Sequence, residues 1–207
     1  DNIEEVEDSL CFRKKDNESI IEYDQYLRSV EGVLDRIESN EFQKIIFSRR
    51  KVIDKKIDSK VLFDSINNQY DNSLNYLIGI ESIGVWMGAS PEVLLKREGN
   101  DYLMHSLAGT MKRNETSSYN WTDKEIQEQR YVTDYLMDHF QESDIFDIAL
   151  KGPFNFEHGS VVHLKTEIRI KAVENQINEL LRNVAPTPAV CGIPKEEVLS
   201  KIQEIEG

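Results

Sequence analysis

The side chains through which this sequence could move protons or hold a cation are few. Lys44 opens the short β-rich run KIIFSRRKVI. Period-2 alternation puts Lys44, Ile46 and Ser48 on one face of that strand and Ile45, Phe47 and Arg49 on the other. A lysine at a strand end is most often a solvated charge, but a partly desolvated one has a lowered pKa and can take a proton from water. Glu92 follows GASP, so Pro91 fixes a turn and Glu92 starts the strand EVLLKRE with its carboxylate leaving in a defined direction. Such a carboxylate is commonly structural; burial would raise its pKa and suit it to general-acid work. Glu125 and Glu128 stand one helical turn apart on a shared face. Glu125 is explained locally by a capping box with Thr122, whereas Glu128 has no such explanation. Paired carboxylates suit Mg²⁺, a hard cation that takes one or two protein oxygens plus water and substrate, although surface helices are full of glutamate pairs. His163, in VVHLKTEI, reads more readily as a hydrogen-bonded core residue than as a catalyst.

The stretch SLAGTMKR poses a different question. Ala108, Gly109 and Thr110 form a patch stripped of side chains where the run DYLMHSLAG gives out into polar residues. A turn accounts for such a patch, and so does anything that must approach the backbone closely.

The elements that would position these residues follow from periodicity. Apolar residues at Ile20, Tyr23, Leu27, Val30, Leu34 and Ile37 predict a first helix, with Ser19 and Glu22 offering a capping box. KIIFSRRKVI predicts a strand, and SKVLFDSINNQY a second helix with Ser59 as its N-cap. LNYLIGIES, GVWMG, EVLLKRE and DYLMHSLAG read as strands, with EGND a hairpin between the last two. A helix over DKEIQEQRYVTDYLMDHFQ, the strands FDIALKG and SVVHLKTEIRI, a helix over AVENQINELLRN, the rigid loop APTPAVCGIP and a last short helix complete the chain. Hairpin-like pairs without regular βαβ alternation predict an α+β fold of antiparallel sheets flanked by helices. No repeat or linker divides it, so 1–18 reads as an N-terminal extension and 19–207 as one domain.

The chain has 207 residues and a net charge of −13, with no basic stripe for nucleic acid and no apolar run for a membrane. Its acidic amino terminus carries no targeting signal, which predicts a cytoplasmic protein. An anionic small substrate is compatible with this charge if a cation or a local basic cluster offsets it. Cys11 and Cys191 have no metal-ligand spacing and read as incidental thiols rather than a disulfide.

Taken in order, KIIFSRR, GASPEVLL, SLAGT, KEIQEQRYVTDYL, VVHLKTEI and PTPAVCGIP resemble the chorismate-utilising enzymes, whose fold is that of anthranilate synthase component I. Within that family the spelling is most similar to the isochorismate synthases. The resemblance implies that Lys44 activates water for attack at C2 of chorismate and that Glu92 protonates the departing 4-hydroxyl. It implies that Glu128 holds Mg²⁺, and that Ala108, Gly109, Thr110 and His163 line the ring site. Ammonia-using members lack the lysine at the place of Lys44, and aminodeoxychorismate synthases carry one at the place of Ala108. The family usually has histidine where Ala185 stands. It also continues past the motifs present here, so the resemblance implies a catalytic domain without its carboxy-terminal part, its fold incomplete. Menaquinone or siderophore synthesis, a monomeric complete enzyme and chorismate as the small-molecule partner are implied likewise. The alternatives are a salicylate synthase, an anthranilate synthase component I, or a non-catalytic fragment that self-associates through exposed sheet edges.

Overall fold

The computed structural model describes residues 23–53 and 55–206. In chain order the elements are α1 (Tyr23–Glu38), β1 (Lys44–Ile45), α2 (Ser59–Gln69), β2 (Leu74–Ile80), β3 (Gly84–Ser90), β4 (Lys96–Glu98), β5 (Asp101–Lys112), α3 (Asp123–Glu142), β6 (Asp147–His158), β7 (Val161–Lys171), α4 (Glu174–Val184), β8 (Gly192–Ile193) and α5 (Lys195–Glu206). The capping box at Ser19 and Glu22, and Cys11, lie outside the described residues. Contacts gather into two compact units, one holding 52–91 and the other 23–51 with 92–206.

The first unit is α2 with the antiparallel hairpin β2–β3, paired from Leu74↔Ser90 to Ile80↔Gly84. The cap of α2 falls one residue before the expected Ser59. Asp58 takes that place because its carboxylate accepts from the Val61 amide at 3.0 Å.

The second unit is built on a four-stranded antiparallel sheet in the order β4-β5-β7-β6. The EGND turn joins β4 to β5 as expected, with Glu98 opposite Asp101. One face of the sheet buries Met104 and Ala108 from β5 and Ile168 and Ile170 from β7. Against them pack Val132, Leu136 and Phe140 of α3, with Ile177, Leu180 and Val184 of α4. Each such side chain contributes roughly 1.5–3 kcal/mol by leaving water, so α3 is fixed to the sheet chiefly by this stripe. A smaller cluster of Phe42, Cys191 and Val198, backed by Ile37, Ile45 and Ile202, gathers around a separate two-stranded ladder, β1–β8. Antiparallel sheets flanked by helices are the α+β architecture expected from the sequence.

Several local expectations change. In α1 the buried residue is Val33, while Tyr23, Leu27 and Leu34 are exposed. Two apolar rows overlap in this helix, and the row through Val33 rather than the one through Leu34 packs. The strand expected over KIIFSRRKVI shrinks to Lys44–Ile45, because its partner is only the pair Gly192–Ile193. Beyond it, Phe47 leaves the ladder to meet the Tyr26 ring at 5.4 Å. Glu92 precedes β4 by several residues instead of starting a strand; the neighbouring Val93 carbonyl accepts from the His105 amide at 2.9 Å and fixes this segment against β5. Conversely, β5 does not stop at SLAG but runs on to Lys112.

Candidate functional site

Lys44 is 6% exposed, held in β1 by the β8 ladder. Its Nζ donates to the Pro188 carbonyl at 2.6 Å and lies 3.5 Å from Glu128 Oε1. The carbonyl is presented by the PTPAVCG loop, which closes on Thr187: Val190 and Cys191 amides donate to its backbone oxygen at 3.1 and 3.0 Å. Gly192 makes the approach of β8 possible, since a Cβ there would strike the Lys44 carbonyl and sit 2.6 Å from Val198 Cγ1. Burial pushes the lysine pKa below its ordinary value, outweighing the attraction of Glu128, which pulls it up.

Glu92 is half-buried and senses the charge of Lys44. Burial dominates and pushes its carboxyl up to about 7, while Lys44 pulls the other way. Burial thus shifts the two groups in opposite directions, the lysine down and the carboxyl up.

Glu128 projects from the second turn of α3. The start of that helix is fixed by the expected capping box: Glu125 Oε2 accepts from the Thr122 amide at 3.1 Å and also from its hydroxyl. Both Glu125 and Glu128 are on α3, but they are employed differently. Glu128 pairs with Lys44 at 3.5 Å and with Lys124 at 3.9 Å. Among the described residues no group of three or more acidic, histidine or cysteine side chains could hold a metal.

The small residues of SLAGT have a packing reason. The β5–β7 register slips between Ala108 and Thr110, and Gly109 sits in the bulge with φ +76°. A Cβ on Gly109 would lie 3.0 Å from the Glu125 carbonyl. The close neighbour of Gly109 is thus the first turn of α3. Ala108 is buried in the core face and Thr110 is exposed on the far side of the bulge. Thr110 pairs with His163 across the strands, and His163 Nδ1 lies 3.0 Å from Thr110 Oγ1 and 3.3 Å from the Gly109 carbonyl. A carbonyl can only accept, so Nδ1 carries the hydrogen and Nε2 is the free acceptor. Burial lowers the pKa of this ring, outweighing the Gly109 carbonyl, which pulls it up. Glu128 acts electrostatically on both Lys44 and His163, so the helix glutamate links the lysine to the β5–β7 pair.

Other polar groups were not singled out in the sequence. The Pro188 carbonyl leaves no side-chain signature. Gln129, 5% exposed, sits in a buried hydroxyl network. His105, buried with Nδ1 unpartnered, is pushed down to about 4 by burial and by Lys165. Lys165 itself is buried over the Phe156 ring, 4.3 Å from its centre, and lies 3.2 Å from Glu167. Ala185, where a histidine was the expected spelling, ends α4 exposed, and its carbonyl accepts from Lys195 Nζ at 2.7 Å. Cys191 is buried and free.

An α+β sheet thus carries a helix docked on a bulged glycine, with a buried lysine 3.5 Å from a glutamate of that helix. The chain belongs to the chorismate binding enzymes: the family model of that description matches residues 3–207. It is 28% identical over 198 residues to the isochorismate synthase MenF of Bacillus subtilis, covering 90% of this chain and 42% of that protein. It is 23% identical over 194 residues to the anthranilate synthase component 1 of Archaeoglobus fulgidus, covering 89% of this chain and 46% of that one. The solved structure of MenF, the menaquinone-specific isochorismate synthase of Escherichia coli, superimposes with a TM-score of 0.73 at 19% identity, over 86% of this chain and 44% of that one. The chain thus spans less than half the length of these relatives. No helix among the described residues is long and apolar enough to cross a membrane.

Proposed function

We propose that this chain carries the acid–base half-site of an isochorismate synthase, converting chorismate to isochorismate with Mg²⁺. The observation that supports it most is Lys44, buried and held between the Pro188 carbonyl and Glu128. A neutral lysine amine has two hydrogens and one lone pair. Those two acceptors take the hydrogens, which leaves the lone pair for a proton of water. Deprotonated water then bonds to C2 of chorismate, the ring double bonds shift, and the C4–oxygen bond breaks. Glu92, still protonated near neutrality, gives its proton to the departing hydroxyl, which leaves as water. One water enters and one leaves, and a proton has passed from Glu92 to the solvent side while Lys44 has gained one.

Thr110 and the Gly109 backbone would face the ring, with His163 Nε2 as a neutral acceptor beside them. Mg²⁺, held by Glu128, would supply charge neutralisation for the substrate carboxylate in an acidic protein. Lys44 separates this reading from anthranilate formation, which uses ammonia and has no need of a base for water.

Proton NMR of chorismate with the protein, with and without Mg²⁺, tests the assignment. Isochorismate ring protons appearing only with Mg²⁺ are the expected result. Anthranilate formed from ammonia, without isochorismate, would overturn it, and salicylate accumulating with pyruvate would move the assignment to a salicylate synthase.

A further inference from the structure

The buried stripe of α3 is Gln129, Val132, Leu136 and Phe140. Spacing of this kind is the core face of an amphipathic helix, and an apolar residue would be the ordinary occupant of its first position. Gln129 stands there instead, one residue after Glu128. Its Nε2 donates to Thr166 Oγ1 at 2.8 Å and to Thr133 Oγ1 at 3.0 Å, with Ser106 Oγ at 3.3 Å. The Thr133 hydroxyl donates to Ser106 Oγ at 2.8 Å, and the Ser106 hydroxyl donates back to the Gln129 carbonyl at 3.4 Å. Ser106 and Thr166 are direct partners across β5 and β7. Side chain and backbone of one helical residue are therefore tied to both central strands at a single point.

Apolar packing tolerates small rotations and slides of a helix, whereas a satisfied buried hydrogen-bond network does not. The first turn of α3 is seated separately, with the Glu125 carbonyl 3.0 Å from where a Gly109 Cβ would stand. These two seats on β5, at Glu125 and Gln129, bracket Glu128 on the helix. We infer that Gln129 is a positioning residue: its ties to Ser106 and Thr166 set the rotation of α3 that holds the Glu128 carboxylate at Lys44. It touches no substrate and acts only through Glu128.

The consequence for turnover rests on the proposed reaction, but the positioning itself does not, and a readout free of catalysis separates the two. The coupling of Lys44 and Glu128 is read as the non-additive part of the urea-midpoint shifts of Lys44→Met, Glu128→Gln and their double variant. That cycle is measured in the Gln129 protein and repeated in Gln129→Leu, which suits the apolar stripe, and in Thr166→Val, which removes the partner from the strand side. The expected result is a resolvable coupling with Gln129 that falls to within error in both other backgrounds. Turnover of chorismate then drops about tenfold in each with the chorismate KM little changed, the mark of a displaced carboxylate rather than a lost binding contact. Coupling of undiminished size in either folded background overturns the inference. If Gln129→Leu does not fold, Thr166→Val decides alone. A protein that converts no chorismate would defeat the proposed function and leave the unfolding cycle still decisive for Gln129.

Discussion

At the scale of single residues, the site depends on burial acting in opposite directions on Lys44 and Glu92. Replacing Lys44 by glutamine keeps a polar side chain, one atom shorter, but removes the basic lone pair. Loss of a general base commonly costs 10²–10⁴-fold, so isochorismate production should fall by about that much. The Glu92 carboxyl, raised from 4.5 to about 7, makes two pH predictions. Turnover should decline as pH rises through about 7, when the acid loses its proton. Stability should move the same way. A carboxyl whose folded pKa lies above its unfolded one favours the folded state fully below about 4.5, and that contribution is lost as pH rises through about 7. Glu92→Gln cannot ionise, so its urea midpoint should exceed that of the parent at pH 8 and match it near pH 4. At ~1.4 kcal/mol for each pH step of difference, the gain at pH 8 has a ceiling of about 3 kcal/mol. An equal gain at both pH values would show that the Glu92 pKa is the same in the folded and unfolded chain.

At the scale of elements, the site is where α3 and the β1–β8 ladder meet the end of the β5–β7 pair, and glycines decide how closely they come. Gly109→Ala places a Cβ against the Glu125 carbonyl in a left-handed backbone conformation, two penalties at one position. A loss of about 2–4 kcal/mol in chemical denaturation is expected, together with weakened turnover through the displaced first turn of α3. An alanine as stable as the parent would mean that β5 and α3 are not seated as described. How much of this was legible in the sequence depended on the reach of each interaction. The Thr122–Glu125 capping box and the EGND hairpin are local, so their spelling was enough. The length of β1 was not, because alternation in KIIFSRRKVI says nothing of a partner only two residues long, Gly192–Ile193, far along the chain. SLAGT announced a close approach without naming the neighbour, which proved to be a helix backbone. Gln129 gave no signal at all: a glutamine in a helix rich in charge looks like surface until the hydroxyls of two strands are found beneath it. The candidate site residues were named through their ordered motifs rather than through any physical signature, since isolated lysines and glutamates carry none.

At the scale of the whole chain, charge is the governing quantity. Thirteen net negative charges repel a dianionic substrate such as chorismate before any local contact forms. Lys124, with Nζ 3.9 Å from the Glu128 carboxylate and beside the Lys44 amine, offsets that field only at short range. Salt should then act opposite to its usual effect on a charged ligand. Between ~10 and ~150 mM of an inert monovalent salt the Debye length contracts from ~30 to ~8 Å, which screens the distant acidic residues and spares the adjacent lysines. With free Mg²⁺ held constant and saturating, the chorismate KM should fall about two- to threefold over that range while kcat stays level. A KM that rises instead would mean that screening removes more attraction than repulsion, and that a cationic approach to the site outweighs the acidic balance of the chain.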